Sequence, residues 1–158
     1  IKVMSDEEKI ALVDRLSKYG RVYISSEGPV PDELKDKLLK TPYHLIHHVL
    51  AFAQLVFSEG ATIASEAAVL GVHALYVNTI QSGSTREQSE RYGLLYCFHD
   101  PDERFRQAAD KAVELLETPH LVEMGQAKRR KLLEERVDIN GYFMQEMDRL
   151  AKVGRKGK

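Results

Sequence analysis

Leu55-Val56-Phe57-Ser58-Glu59-Gly60-Ala61-Thr62-Ile63-Ala64-Ser65-Glu66-Ala67-Ala68-Val69-Leu70-Gly71, followed closely by Ala74-Leu75-Tyr76-Val77, decides the fold class. Leu55 to Ser58 is a short apolar run, the pattern of a strand buried on both faces of a parallel sheet. Gly60-Ala61 turns the chain into a helix over about 62–70. Its small residues, Ala61, Ala64, Ser65, Ala67 and Ala68, let that helix lie close on a sheet. Gly71 ends it, and Ala74 to Val77 reads as the next buried strand. Strand, helix, strand is a βαβ unit, which implies a parallel sheet with helical crossovers.

The same alternation extends outward. Downstream, a polar loop from Asn78 to Ser84 leads to a short helix ending near Tyr92-Gly93, then a strand at Leu94-Leu95-Tyr96-Cys97-Phe98. Asp100-Pro101-Asp102-Glu103 predicts a helix start, with Asp100 as cap, Pro101 first and Glu103 third, running to about Leu116. Two further helices are expected over about 122–136 and 139–151, then a basic tail. Upstream, Ser5-Asp6-Glu7-Glu8 is a capping box for a helix striped by Ile10, Leu12, Val13 and Leu16. Gly20 is expected to stop it in the left-handed conformation. Val22 to Ser25 reads as a short strand, broken by Gly28, Pro29 and Pro31, and Asp32 to Leu39 as a short helix. Thr41 is expected to cap a helix with Pro42 as its first residue and Ile46, Val49, Leu50 and Ala53 on its buried face.

The expected fold is therefore α/β: a doubly wound parallel sheet (Rossmann-like), lacking its first strand because the chain opens on a helix, with two extra C-terminal helices. The expected division is 1–118 as the Rossmann-like domain, 119–151 as appended helices and 152–158 as a basic tail. Residue 1 is Ile with no initiator Met, so a missing N-terminal domain is expected upstream.

Charge and composition narrow the function. With 23 Lys+Arg against 24 Asp+Glu, the net charge of −1 removes the basic field of a nucleic-acid binder. No apolar stretch approaches the roughly 20 residues that cross a bilayer. The single cysteine, Cys97, forms no internal disulfide and lies in a buried-strand pattern, as a core thiol rather than a nucleophile. A cytoplasmic protein is expected. Lys128-Arg129-Arg130-Lys131 has Glu134-Glu135 beside it and no interleaved aromatics, so a solvated helix face is expected there.

The sharpest site candidate is the strand–turn–helix at Ser58, Glu59, Gly60, Ala61 and Thr62. A helix N-terminus there offers free amides and a positive dipole end outside the carboxyl ends of the strands. Glu66, one turn in, is placed to accept hydrogen bonds from vicinal ribose hydroxyls. Against this, Gly60 merely makes a tight turn and Glu66 merely offsets the dipole. His44 and His48 lie at i, i+4 opposite the apolar face, a spacing that zinc uses. No carboxylate or Cys completes a tetrahedron, so cleft-lining or solvated histidines are expected and no metal; on a cleft, His44 contacts a phosphate or a sugar.

The stretch SEGATIASEAAVLGVHALYVNT (58–79) resembles a segment of B-type, two-Rossmann-domain glycosyltransferases and of UDP-N-acetylglucosamine 2-epimerase. Its E-A-x-x-x-G element is Glu66, Ala67 and Gly71. VYISSEGPVPDELK (22–35), the run from Ile46 to Val72, and RYGLLYCFHDPDE (91–103) resemble more closely a prokaryotic family of unknown function with that two-domain fold. The resemblance spans about 3–116 and implies the C-terminal, nucleotide-binding half of such a protein. By position, it puts the amides of Gly60, Ala61 and Thr62 on a diphosphate, Glu66 on the ribose, and Ser58 and Glu59 at the border. Thr85-Arg86-Glu87 to Glu90 loosely resembles an epimerase segment, which gives Arg86 a sugar-side role. Two departures stand out. Glu59 puts a carboxylate where relatives carry Ser or Gly, and His73 replaces a Pro.

The leading expectation is the nucleotide-sugar-binding half of a glycosyltransferase-like or epimerase-like protein, not active alone, with UDP or a UDP-sugar as ligand and no further cofactor. The alternative is a non-catalytic module acting through self-association, as a homodimer, or through partner binding. A regulatory nucleotide sensor is a third reading.

Overall fold

A computed structural model describes residues 3–156, with side chains of the last helix described as far as Lys152. Three parallel strands, β1 (Leu55–Ser58), β2 (His73–Val77) and β3 (Leu95–Phe98), lie in the order β1-β2-β3. Val56 pairs with Ala74, and Ala74 with Leu95. The helix α3 (Ala61–Val69) joins β1 to β2, and α4 (Gly83–Glu90) joins β2 to β3.

Successive strand residues face opposite sides of the sheet, and both sides are covered. Val56, Ala74, Tyr76 and Leu95 join Ala64, Ala67 and Ala68 of α3 in one core cluster. Leu75 and Val77 join Phe105, Ala108, Ala112 and Leu115 of α5 (Arg104–Leu116) in the other, with Leu12 and Leu16 of α1 (Asp6–Leu16) against it. Helices on both faces explain why the strands read as unbroken apolar runs. The fold is the expected α/β, Rossmann-like arrangement.

The capping box holds: the Glu8 amide donates to Ser5 Oγ at 3.2 Å, and the Ser5 amide to Glu8 at 2.8 Å. Arg15 anchors α1 to α5 through Asp110 at 2.7 Å. Several local expectations are corrected. Gly20 is not left-handed, because α1 already ends at Leu16 and a turn follows. Val22 to Ser25 is not a sheet strand: Ile24 makes one parallel bridge, to Leu38, and Tyr23 stays exposed. With one face in solvent and Pro29 and Pro31 next to it, the run has neither the length nor the burial to extend a ladder.

The segment after it forms a 3-10 helix, Asp32–Lys37. Pro42 takes an extended ψ of 142° before the 3-10 turn Tyr43–Leu45, so α2 (Ile46–Ala51) starts four residues later than expected and Thr41 caps nothing. Asp100 does accept the Asp102 and Glu103 amides, at 2.9 and 2.8 Å, but around a turn; regular α5 begins at Arg104.

The helix α6 (Leu121–Glu134) crosses behind α3. Gln126 and Arg129 donate to the Leu70 and Val69 carbonyls, both at 3.0 Å, and Lys128 to the Gly93 carbonyl at 2.8 Å. Part of the basic run expected as a solvated face thus closes the C-terminal end of α3 and the turn after α4, where cations and donors are favoured. By contrast, no described side chain of α7 (Ile139–Lys156) is buried. Among the described residues no helix is long and apolar enough to cross a membrane.

Candidate functional site

The carboxyl ends of the three strands are tied together by Asn78. Its amide nitrogen donates to the Glu59 carbonyl beyond β1 at 2.9 Å, and its backbone N–H to the Phe98 carbonyl of β3 at 3.1 Å. Its side-chain oxygen accepts from the Ile80 amide at 3.1 Å, which shapes the loop toward α4. The Asn78 carbonyl meets His99 Nδ1 at 2.5 Å. A carbonyl only accepts, so His99 Nδ1 carries the proton of this bond and Nε2 is the ring atom left for a ligand. Tyr76 packs edge-on against the His99 ring and donates to the Ile80 carbonyl at 2.9 Å.

Around this hub two helices begin without side-chain caps. At α3 the first helical hydrogen bond runs from Ala64 to the Gly60 carbonyl, which leaves the Ala61, Thr62 and Ile63 amides as orphan donors. At α4 the first runs from Arg86 to the Ser82 carbonyl, which leaves those of Gly83, Ser84 and Thr85. The two helices pack side by side, joined by Gln88 donating to the Ser65 carbonyl at 3.3 Å. Beside the start of α4 and the end of β3 opens a cavity of about 390 Å³, lined by Ser82, Gly83, Arg86, Glu90 and His99. Among the described residues the Arg86 guanidinium has no hydrogen-bond or ion-pair partner. Cys97 also borders the cavity, but burial pushes its thiol up from the ordinary value, so it stays protonated and unreactive.

The expected site residues divide. The Gly60 amide is not free: it donates to Ser58 Oγ at 3.0 Å, and the hydroxyl donates back to the Gly60 carbonyl. Glu59 turns its carboxylate to the Met4 amide at 3.3 Å, and so does not project over the α3 amides as a bare charge. Glu66 faces α2 and meets His47 Nε2 at 3.2 Å in a separate depression of about 260 Å³. His44 is exposed on the turn before α2 and lines neither cavity. Arg86 is the one expected residue that lines the larger cavity. Among the described residues no three His, Cys, Asp or Glu side chains gather as a metal site.

Asn78 and His99 were not singled out from sequence, although each directly follows a buried strand. Applying the carboxyl-end rule to all three strands rather than to β1 alone finds both. His73 is of another kind. It is buried at the opposite, amino end of β2, its ring stacked near Tyr96, with Nδ1 3.3 Å from the tyrosine hydroxyl and Nε2 without a partner among the described residues. Burial first, then Lys128 and Lys111, lowers its pKa to about 4. It is a structural histidine.

No family model matches the chain, and no curated protein matches it. Among solved structures, the chain is similar to one described as the glycotransferase of kitacinnamycin, at 16% identity and a TM-score of 0.49. The likeness covers 84% of this chain and 37% of that one, so this chain spans little more than a third of that protein's length.

Proposed function

We propose that this chain is a nucleotide-binding α/β module that holds a nucleotide diphosphate sugar across the carboxyl ends of its strands. The observation that carries this is the uncapped N-terminus of α4 beside a cavity lined by Arg86, which has no partner among the described residues, with the uncapped N-terminus of α3 on the helix packed against α4. Orphan amides and aligned dipoles favour a phosphate, and two such ends suit a diphosphate better than a single anion. Arg86 adds a bidentate donor for phosphate oxygens, and Glu90 across the same cavity supplies an acceptor for sugar hydroxyls.

In this proposal the Ala61, Thr62 and Ile63 amides meet the diphosphate, Glu66 accepts from the ribose, Arg86 reaches the phosphate oxygens from the sugar side, and His99 and Glu90 line the sugar. Ser58 and Gly60 act by holding the turn, since each is the other's hydrogen-bond partner. Uridine as the base comes from the sequence resemblance of 58–79. The module's share of glycosyl transfer, or of UDP elimination and re-addition, is to hold the nucleotide leaving group.

A thermal-shift panel of UDP, UDP-N-acetylglucosamine, CMP, ADP and GDP tests this. Ligand at about 100 times Kd adds about 2.7 kcal/mol, a rise of roughly 5–11 °C for a domain of this size. A uridine-selective rise, cut by about half or more in Arg86→Ala and reduced in Glu66→Ala, is expected. A flat panel with ligand in the millimolar range overturns the proposal.

A further inference from the structure

We propose that α7 is a self-association helix, pairing antiparallel with α7 of a second copy of this chain. Val137, Ile139, Tyr142, Phe143, Met147 and Leu150 are each 51% to 75% exposed. At about 100° per residue, the five of them within the helix fall inside an arc of about 140°. A stripe this wide is the pattern of a helix face built to be covered, yet among the described residues no α7 side chain is buried. Glu146 interrupts the stripe, but Arg149 neutralises it within the helix at 2.9 Å.

Area and charge both favour a second copy as the occupant. Fully covered, the six residues would bury at most on the order of 700 Å² per partner, within the range of smaller specific interfaces and below the ~800 Å² of a standard-size one. An identical stripe matches it in length when the helices run in opposite directions. Ile139 then lies opposite the partner's Leu150, and Tyr142 opposite the partner's Met147. In that direction Asp138, at one end of α7, comes to the partner's Lys152 and Arg149 at the other, and the helix dipoles oppose. A parallel pair stacks like charge on like. The contact is isologous, so it closes at two copies.

Sedimentation velocity of the full chain between about 1 and 300 μM, a range that spans weak to standard interfaces, gives the first reading. The expected result is concentration-dependent growth from 18.0 kDa to twice that mass. The double variant Phe143→Glu with Met147→Glu is expected to remain monomeric with an unchanged melting temperature, because both side chains point to solvent in the monomer. A wild-type monomer at every concentration overturns the proposal, and so does a dimer that survives both substitutions. Direction is read by cross-linking in a Cys97→Ser background. Chains carrying Ile139→Cys mixed with chains carrying Leu150→Cys should couple through a short bismaleimide several-fold more than either alone; the reverse order overturns the antiparallel arrangement.

Discussion

Gly125 of α6 lies directly against the Gly71 carbonyl: a Cβ at position 125 would sit 2.2 Å from that oxygen and 3.4 Å from the His73 ring. Gly71 itself ends α3 at φ +83°, a conformation that L side chains rarely adopt. Two glycines, one chosen for conformation and one for approach, thus set how closely α6 crosses the α3–β2 junction. That crossing is what lets Gln126 and Arg129 reach the last carbonyls of α3.

Gly125→Ala is therefore expected to destabilise the fold by about 2 kcal/mol. The gain in helix propensity, about 1 kcal/mol, is outweighed by displacement of the helix from a backbone atom that cannot rotate away. Gly20→Ala is the control, because nothing lies within 4 Å of its Cβ position and its φ is negative. Urea unfolding should place Gly20→Ala within about 0.5 kcal/mol of wild type. Equal midpoints for the two variants contradict the close approach.

The buried His73 predicts a pH dependence of stability. Its pKa is about 4 in the folded chain and 6.5 when exposed, so between those values the unfolded chain binds a proton that the folded one does not. The stabilisation is complete above pH 6.5 and is lost progressively as the pH falls toward 4, with a slope approaching 1.4 kcal/mol per pH unit. His73→Leu should flatten that part of the curve relative to wild type in parallel denaturant titrations. Unchanged slopes would show that the imidazole is not the group responsible.

Asn78 is predicted to discriminate between a truncation and an isosteric replacement. Asn78→Ala removes the bonds to the Glu59 carbonyl and the Ile80 amide, at a cost of about 1–2 kcal/mol. Asn78→Asp keeps the acceptor for Ile80 but sets a carboxylate oxygen against the Glu59 carbonyl, and should cost more than Ala near neutral pH. Thermal unfolding of the three proteins side by side reads the order; Asp milder than Ala contradicts the donor role.

Much of this was legible in the chain. The three strands stood out because each is a run of four or five mainly apolar residues, covered by helices on both sides of the sheet, and closed by a glycine or polar loop. Val22 to Ser25 has similar residues but only one covered face, a difference that no local pattern records. Gly71 was readable as a helix stop because its neighbours demanded one, whereas Gly20 merely follows a helix that had already ended. The roles of Lys128 and Arg129 were hidden, since the carbonyls they meet are set by the crossing of α6. At the site, Arg86 and the α3 turn came from sequence. The commitment of the Gly60 amide to Ser58, the pairing of Glu66 with His47, and the meeting of Asn78 with His99 depend on long-range placement.

Arg86→Ala should weaken nucleotide binding by about 10- to 100-fold, the worth of a charge-assisted bond to phosphate, without lowering the melting temperature of the free protein. Isothermal titration with UDP checks the first part and a ligand-free melt the second. Loss of stability together with affinity would mean that Arg86 supports the fold rather than the ligand.

Amide NMR of the full chain during titration with UDP tests the central proposal most directly, because it reports where the ligand sits. The Ala61, Thr62 and Ile63 amides of α3 and the Gly83, Ser84 and Thr85 amides of α4 are predicted to shift together along one saturating curve. Saturable shifts confined to the basic face of α6, or the absence of any saturable shift, would contradict a nucleotide site at the carboxyl ends of the strands.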